Sequence, residues 1–239
     1  IGIFRQKQRG MNYVGLKVLV GRVKAADLRN MAALATRYGN GEVRLSPAQA
    51  FVIPHISDRL VGEVAEEPLV KQFAYNPSAL YKGLVSCVGS DYCNLAVIET
   101  KTRAVETARV LERKLGDNLK PITLHWSGCP AGCGNHLVAD IGLLGKKARV
   151  GGKVVDAVDI FVGGRSGPDP KPATKIMEDV PCDRLPAVLE TLMPYHTRDK
   201  MHRVRGKVTP KAAGVAKPAG SGSEASGTLS GLTPQPFSA

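Results

Sequence analysis

Cys87-Val-Gly-Ser-Asp-Tyr-Cys93 and Cys129-Pro-Ala-Gly-Cys133, with 35 residues between the two pairs, decide how this 239-residue chain is read. The first pair is spaced C-x5-C and the second C-x3-C. Each follows an apolar run that reads as a short strand, Gly83–Ser86 before Cys87 and Pro121–Trp126 before Cys129. Each also sits in a glycine-containing loop, where backbone N–H groups can approach sulfur and stabilise added negative charge. Four thiolates from two strand-end loops are a ligand set for a 4Fe-4S cluster. A structural zinc site also takes four thiolates, but its pairs are usually separated by about two to four residues. The second pair satisfies that spacing and the first does not. Buried structural thiols are the remaining reading. The fifth cysteine, Cys182, stands alone in Val-Pro-Cys-Asp and reads as a packed small hydrophobe. An odd count, with no apolar leader at Ile1–Arg9, argues against a disulfide framework.

Around the cysteines the periodicities predict a second α/β unit over residues 76–197. Thr102–Leu115 carries a helical stripe of Ala104, Ala108, Leu111 and Leu115, stopped by Gly116. Asp140–Leu144 and Val154–Val162 read as strands, with Gly151-Gly152 as the turn of a hairpin. Asp183 caps a last helix whose Leu185, Val188, Leu189 and Leu192 face inward.

Upstream, residues 1–75 predict a smaller α+β unit. Met11–Val20 reads as a buried strand closed by Gly21. Asp27 is placed as the N-cap of a helix facing the core with Leu28, Met31, Ala32 and Ala35. Glu42–Leu45 reads as a strand, Ser46-Pro47 as the start of a short helix, Phe51–Ile53 as a strand and Ser57–Glu66 as a helix. Residues 198–239 turn to Pro, Gly, Ser, Ala and scattered Lys, too poor in large apolar groups to offset ordering entropy, and read as a disordered tail.

The formal charge of +12 is unevenly placed: residues 1–29 carry +6, the last 42 residues +5 and the long middle only +1. The basic ends suit an acidic partner or an anionic cofactor, and equally a solvated face. Aromatic content of 5% with one Trp fits a base-stacking nucleic-acid platform poorly. No apolar run is long enough to span a membrane. The missing initiator Met reads as a fragment or a processed product.

At Cys87-x5-Cys93-Asn-Leu-Ala-Val-Ile-Glu-Thr-Lys, His125-Trp-Ser-Gly-Cys-Pro-Ala-Gly-Cys-Gly and Val138-Ala-Asp-Ile-Gly-Leu, the chain resembles the assimilatory siroheme nitrite and sulfite reductases. The Ile98-Glu-Thr-Lys stretch and the His125-Trp pair are most similar to the ferredoxin-dependent nitrite reductases. Arg5-Gln-Lys-Gln, Tyr13-Val-Gly-Leu and Gly21-Arg resemble the start of that family's second repeat, so the resemblance covers about residues 1–197.

The fold this implies is α+β, the C-terminal repeat of a nitrite/sulfite reductase. A ferredoxin-like half-domain would be followed by a siroheme and iron–sulfur α/β domain and then the tail. The resemblance implies that Cys87, Cys93, Cys129 and Cys133 hold the cluster and that Cys133 also bridges to the siroheme iron. It implies six-electron reduction of nitrite to ammonium, with ferredoxin as donor and an N-terminal repeat supplied in cis or in trans. The compartment implied is bacterial cytoplasm or plastid stroma. Ser127 stands where relatives often have Thr and is carried over as a cofactor contact, whereas Ala131 replaces a polar residue, often Asn. The substrate-binding Arg and Lys groups of the family lie largely in the repeat this chain lacks. Arg5, Lys7 and Arg9 read as surface charges or as groups meeting the porphyrin or ferredoxin, and His125 and His136 as packed histidines. Sulfite reductase is the alternative enzyme, and a non-catalytic iron–sulfur or zinc module the alternative of another class.

Overall fold

The computed structural model describes residues 1–116 and 119–203, and of 195–203 the backbone alone. Four antiparallel strands form the first sheet: β1 (Gly2–Arg5), β2 (Met11–Lys17), β3 (Arg44–Ser46) and β4 (Ala50–Ser57), in the order β1-β2-β4-β3. Helices α1 (Ala25–Tyr38), α2 (Val61–Glu66) and α3 (Pro68–Gln72) complete this lobe. Its core is built on Val14, Leu16, Met31, Tyr38, Ile53, Ile56 and Phe73.

Four local expectations are corrected here. The strand from Met11 ends at Lys17, because Val20 adopts a left-handed φ of 48° inside a tight 3₁₀ turn that carries it toward the second lobe. Asp27 is the third residue of α1, where its carboxylate accepts the Lys24 N–H at 3.4 Å, and not the N-cap. The buried face of α1 is Met31, Leu34, Ala35 and Tyr38, so the stripe starts one turn later than expected and leaves Leu28 46% exposed. Ser46-Pro47 starts no helix: Gln49, at φ 56°, returns its N–H to the Ser46 carbonyl at 3.0 Å and closes the β3–β4 hairpin.

The second sheet has five strands in sequence order: β5 (Leu84–Ser86), β6 (Leu124–Ser127), β7 (Ile141–Val150), β8 (Lys153–Val162) and β9 (Thr174–Pro181). Parallel pairing joins β5, β6 and β7, while β7, β8 and β9 are antiparallel. The short helix α4 (Ala79–Gly83) leads into β5, and α5 (Lys101–Leu115) is the crossover that parallel neighbours such as β5 and β6 require. Ala104, Ala108 and Leu111 of α5 are fully buried and Leu115 packs against them, as the stripe predicted. The β7–β8 hairpin turns at Gly151-Gly152, both at positive φ, in the place expected. Strand β9 was not anticipated: only Val180 of its length is buried, so it carries no inward alternation to read. Helix α6 (Leu185–Arg203) seats Leu185, Leu189 and Met193 in the core. It runs past residue 197, and the rest of the predicted tail, 204–239, lies outside the described residues.

A buried cation of the first lobe reaches the second. Lys17 is 4% exposed, and its Nζ donates to the carbonyls of Ala48 and Leu84, each at 2.7 Å. Burial pushes its pKa from 10.5 down to about 8. The folded chain therefore holds this proton more weakly than the unfolded one. The cost of the buried charge is full below pH 8 and is relieved as pH rises toward 10.5. In urea titrations, the stability of the chain relative to Lys17→Met is expected to rise by about 1–3 kcal/mol between pH 7 and pH 10. A pH-independent difference would show that the lysine is not held as a costly cation.

Candidate metal centre

Because β5 and β6 are parallel neighbours in register, Ser86 opposite Trp126, the chain leaves both at the same end of the sheet. Cys87 is the first residue beyond β5, and its N–H donates to the Trp126 carbonyl at 3.0 Å. Cys129 follows β6 after Gly128, and the Gly128 N–H donates to Cys87 Sγ at 3.1 Å. The two loops are also tied by Val97 N–H to the Gly128 carbonyl at 2.8 Å. Both turns use glycine at positive φ, Gly89 at 73° and Gly132 at 70°. At Gly89 a β-carbon would also lie 2.6 Å from Thr100 Oγ1, so side chains are excluded twice over. Cys87, Cys93 and Cys129 are half-buried and Cys133 is exposed, all as free thiols.

Among the described residues, no group of three or more His, Cys, Asp or Glu side chains gathers around a point that could hold a metal ion. A single zinc needs its sulfurs within about 2.3 Å of one centre. A 4Fe-4S cube takes one thiolate on each of four irons and spreads them around its faces. Two loops laced together at one sheet end, with an N–H directed at one sulfur, can offer thiolates to such a cluster.

The neighbouring side chains hold the loops. Thr100 Oγ1 donates to the Cys87 carbonyl at 2.8 Å and lies 3.7 Å from its Sγ. Glu99 accepts the Thr102 and Arg103 N–H groups at the start of α5. Ser127 is buried, and its hydroxyl accepts the Gly134 N–H at 3.2 Å and bonds His136 Nδ1 at 3.0 Å. Ser127 therefore fastens the loop that carries Cys133. His125 Nδ1 lies 3.1 Å from the Asn135 carbonyl, and His136 meets the Phe161 ring edge-on. Burial lowers the pKa of both histidines, so both favour the neutral form. Cys182 is buried away from the pairs in the second core, and burial raises its pKa to about 11, which keeps it a thiol.

Sequence reasoning missed the residues that reach this site from the first lobe. Arg22 bonds Asp91 at 2.7 Å inside the Cys87–Cys93 loop and Thr102 at 3.1 Å on α5. Gln49 pairs its side-chain amide with the backbone of Ser86. Lys17 left a trace, a lone charge within an apolar strand. Gln49 left none.

A half-domain of four strands, followed by a mixed sheet that presents paired cysteines at the end of two parallel strands, defines an α+β protein with a thiol-rich site. Residues 4–70 match the nitrite/sulfite reductase ferredoxin-like half domain, and residues 82–218 match the nitrite and sulphite reductase 4Fe-4S domain. The chain belongs to the nitrite and sulphite reductase family. It is 48% identical over 193 residues to a ferredoxin–nitrite reductase of Synechococcus elongatus, covering 81% of this chain and 38% of that one. A chloroplastic ferredoxin–nitrite reductase of Oryza sativa is 45% identical over 194 residues, covering 81% of this chain and 32% of that one. The chain thus spans about a third of the length of these relatives. Among solved structures, the Mycobacterium tuberculosis NirA protein superposes with a TM-score of 0.75 at 30% identity, over 87% of this chain and 38% of that one. A dissimilatory sulfite reductase, at TM-score 0.56 and 12% identity over 88% of this chain and 72% of that one, shares the fold.

Proposed function

We propose that this chain is the cluster-bearing C-terminal part of a ferredoxin-dependent nitrite reductase, which takes nitrite to ammonium by six electrons. In this reading Cys87, Cys93, Cys129 and Cys133 hold a 4Fe-4S cluster, and Cys133 is shared with the iron of a siroheme. The supporting observation is the lacing of the two cysteine loops at one sheet end, through Val97 N–H to Gly128 O and Gly128 N–H to Cys87 Sγ. When bound, cluster and siroheme supply a one-electron relay to an iron that takes the substrate anion.

The chain's own groups hold that site in shape. The Gly128 N–H offsets thiolate charge at Cys87, and Thr100 holds the Cys87 backbone. Ser127 and His136 brace the turn after Cys133, so Ser127 serves the cofactor by positioning. Cys133, the exposed member, is the one open to a second group. Ferredoxin, nitrite and an N-terminal repeat in cis or in trans are the partners of this reading. The compartment is bacterial cytoplasm or plastid stroma, in keeping with the cyanobacterial and chloroplastic relatives. Among the described residues no helix is long and apolar enough to cross a membrane.

The test is metal analysis with an absorption spectrum of the anaerobically purified chain. About four iron and four acid-labile sulfide per chain are expected. Porphyrin bands that shift with nitrite would complete the reading, and a shift with sulfite alone would turn it to the sulfite enzyme. One zinc and no sulfide would reject both. Cys182→Ser is expected to leave iron and sulfide unchanged, and loss of iron in that variant would break the ligand assignment.

A further inference from the structure

We propose that the first lobe is the positioning device of the Cys87–Cys93 loop, gripping it at Ser86 through Gln49 and at Asp91 through Arg22. The inference rests on Cys87 being a cluster ligand, as proposed above. Strand β5 is three residues long and is paired through the sheet only with β6. Among the described residues no strand lies on its other side, yet Ser86 is fully buried there. The Gln49 amide stands in for the missing strand: Nε2 donates to the Ser86 carbonyl at 2.6 Å, and Oε1 accepts the Ser86 N–H at 3.2 Å. A primary amide is the one common side-chain group with a donor and an acceptor spaced like a peptide.

Gln49 reaches this place at a cost. It takes a φ of 56°, uncommon for a side-chain-bearing residue, and a β-carbon at neighbouring Gly21 would press on its amide at 3.2 Å. A hairpin turn needing only to reverse the chain would be better served by Gly or Asn. At the far side of the loop, the Arg22 guanidinium reaches Asp91 at 2.7 Å, Thr102 at 3.1 Å and Glu99 at 3.8 Å, bridging loop and helix start. Cys87 thus lies between two anchors on the first lobe, while its own Sγ faces Gly128 on the next strand.

Two variants and two readouts test this. Gln49→Met keeps length and shape and removes the amide, whereas Gln49→Asn suits the positive φ and retracts the amide by one methylene. In the cluster-free chain, alkylation of Cys87, followed site by site against Cys182, is expected to quicken about tenfold in both variants. After anaerobic reconstitution, iron release to a chelator is expected to quicken similarly, with an altered cluster EPR spectrum. Arg22→Gln should do the same, and Arg22→Lys only partly, since an ammonium cannot span three partners. Unchanged Cys87 alkylation in the Gln49 variants, with their melting temperatures alone lowered, would overturn the proposal and leave Gln49 a stabilising residue. If the parent chain takes up no more iron and sulfide than its Cys87→Ser variant, the ligand reading fails and the positioning claim falls with it. In that case the alkylation readout still reports whether the grip exists.

Discussion

Cys87→Ser is expected to reduce the iron and acid-labile sulfide of the chain from about four each to below about one each. The hydroxyl is close in size, but it stays protonated at neutral pH and is a hard donor where iron–sulfur chemistry requires a soft one. The loss exceeds that of one ligand in four, because Cys87 ties the two loops together. Its sulfur is the acceptor for Gly128 N–H, and the shorter C–O bond of serine draws that acceptor back. The fold should survive. Cys87 is half-buried, and its N–H bond to Trp126 is a backbone bond that serine keeps. The apo variant is thus expected to melt within a few degrees of the parent. Full iron and sulfide in Cys87→Ser would remove the residue from the ligand set, and with it the spacing argument that joined the two pairs.

How much of this could be read from the chain depended on which interactions are local. Strand β5, helix α5 and the β7–β8 hairpin were legible because their signals lie within a few residues: a short apolar run, the Ala104–Leu115 stripe and Gly151-Gly152. The paired cysteines were legible for the same reason. Misplaced features belonged to tertiary context. Ser46-Pro47 carries a helix-start signal, but the hairpin needs Gln49 at positive φ, and that need arises from Ser86, 37 residues away. Asp27 is a good N-cap by type, yet Lys24 already lies at the extended cap position, so the acid serves one turn further in. β9 has too little buried apolar surface to leave a pattern, because it covers one edge of the sheet with its charged face in water. The grip of the first lobe on the second, through Lys17, Arg22 and Gln49, spans 37 to 80 residues of chain and was the least visible.

Gly134→Ala is expected to be among the most damaging added methyls in the described residues. A β-carbon built at this residue lies 1.9 Å from the Trp126 carbonyl oxygen and 2.6 Å from its carbon, with Ser127 Oγ at 3.0 Å. The obstacle is backbone, so no rotamer change clears it. Nor can Trp126 retreat: its side chain is fully buried, and the same carbonyl accepts the Cys87 N–H. The variant must push the 133–136 turn outward or push β6 out of register. Either path breaks the Gly134–Ser127 bond and shifts Cys133 by at least the overlap. Overpacking of side chains costs about 1–3 kcal/mol, and a clash between two backbone segments belongs at or above the upper end of that range. Gly151→Ala is the control, with nothing within 4 Å and only a positive φ of 56° to strain. It is expected to cost about 1 kcal/mol. Urea midpoints for the two variants separate the effects: equal losses would mean that the turn yields freely and that Gly134 serves only flexibility. A threefold larger loss at Gly134, with iron binding reduced even where the chain folds, would mean that the exposed thiol of Cys133 is aimed by a close backbone approach one residue later.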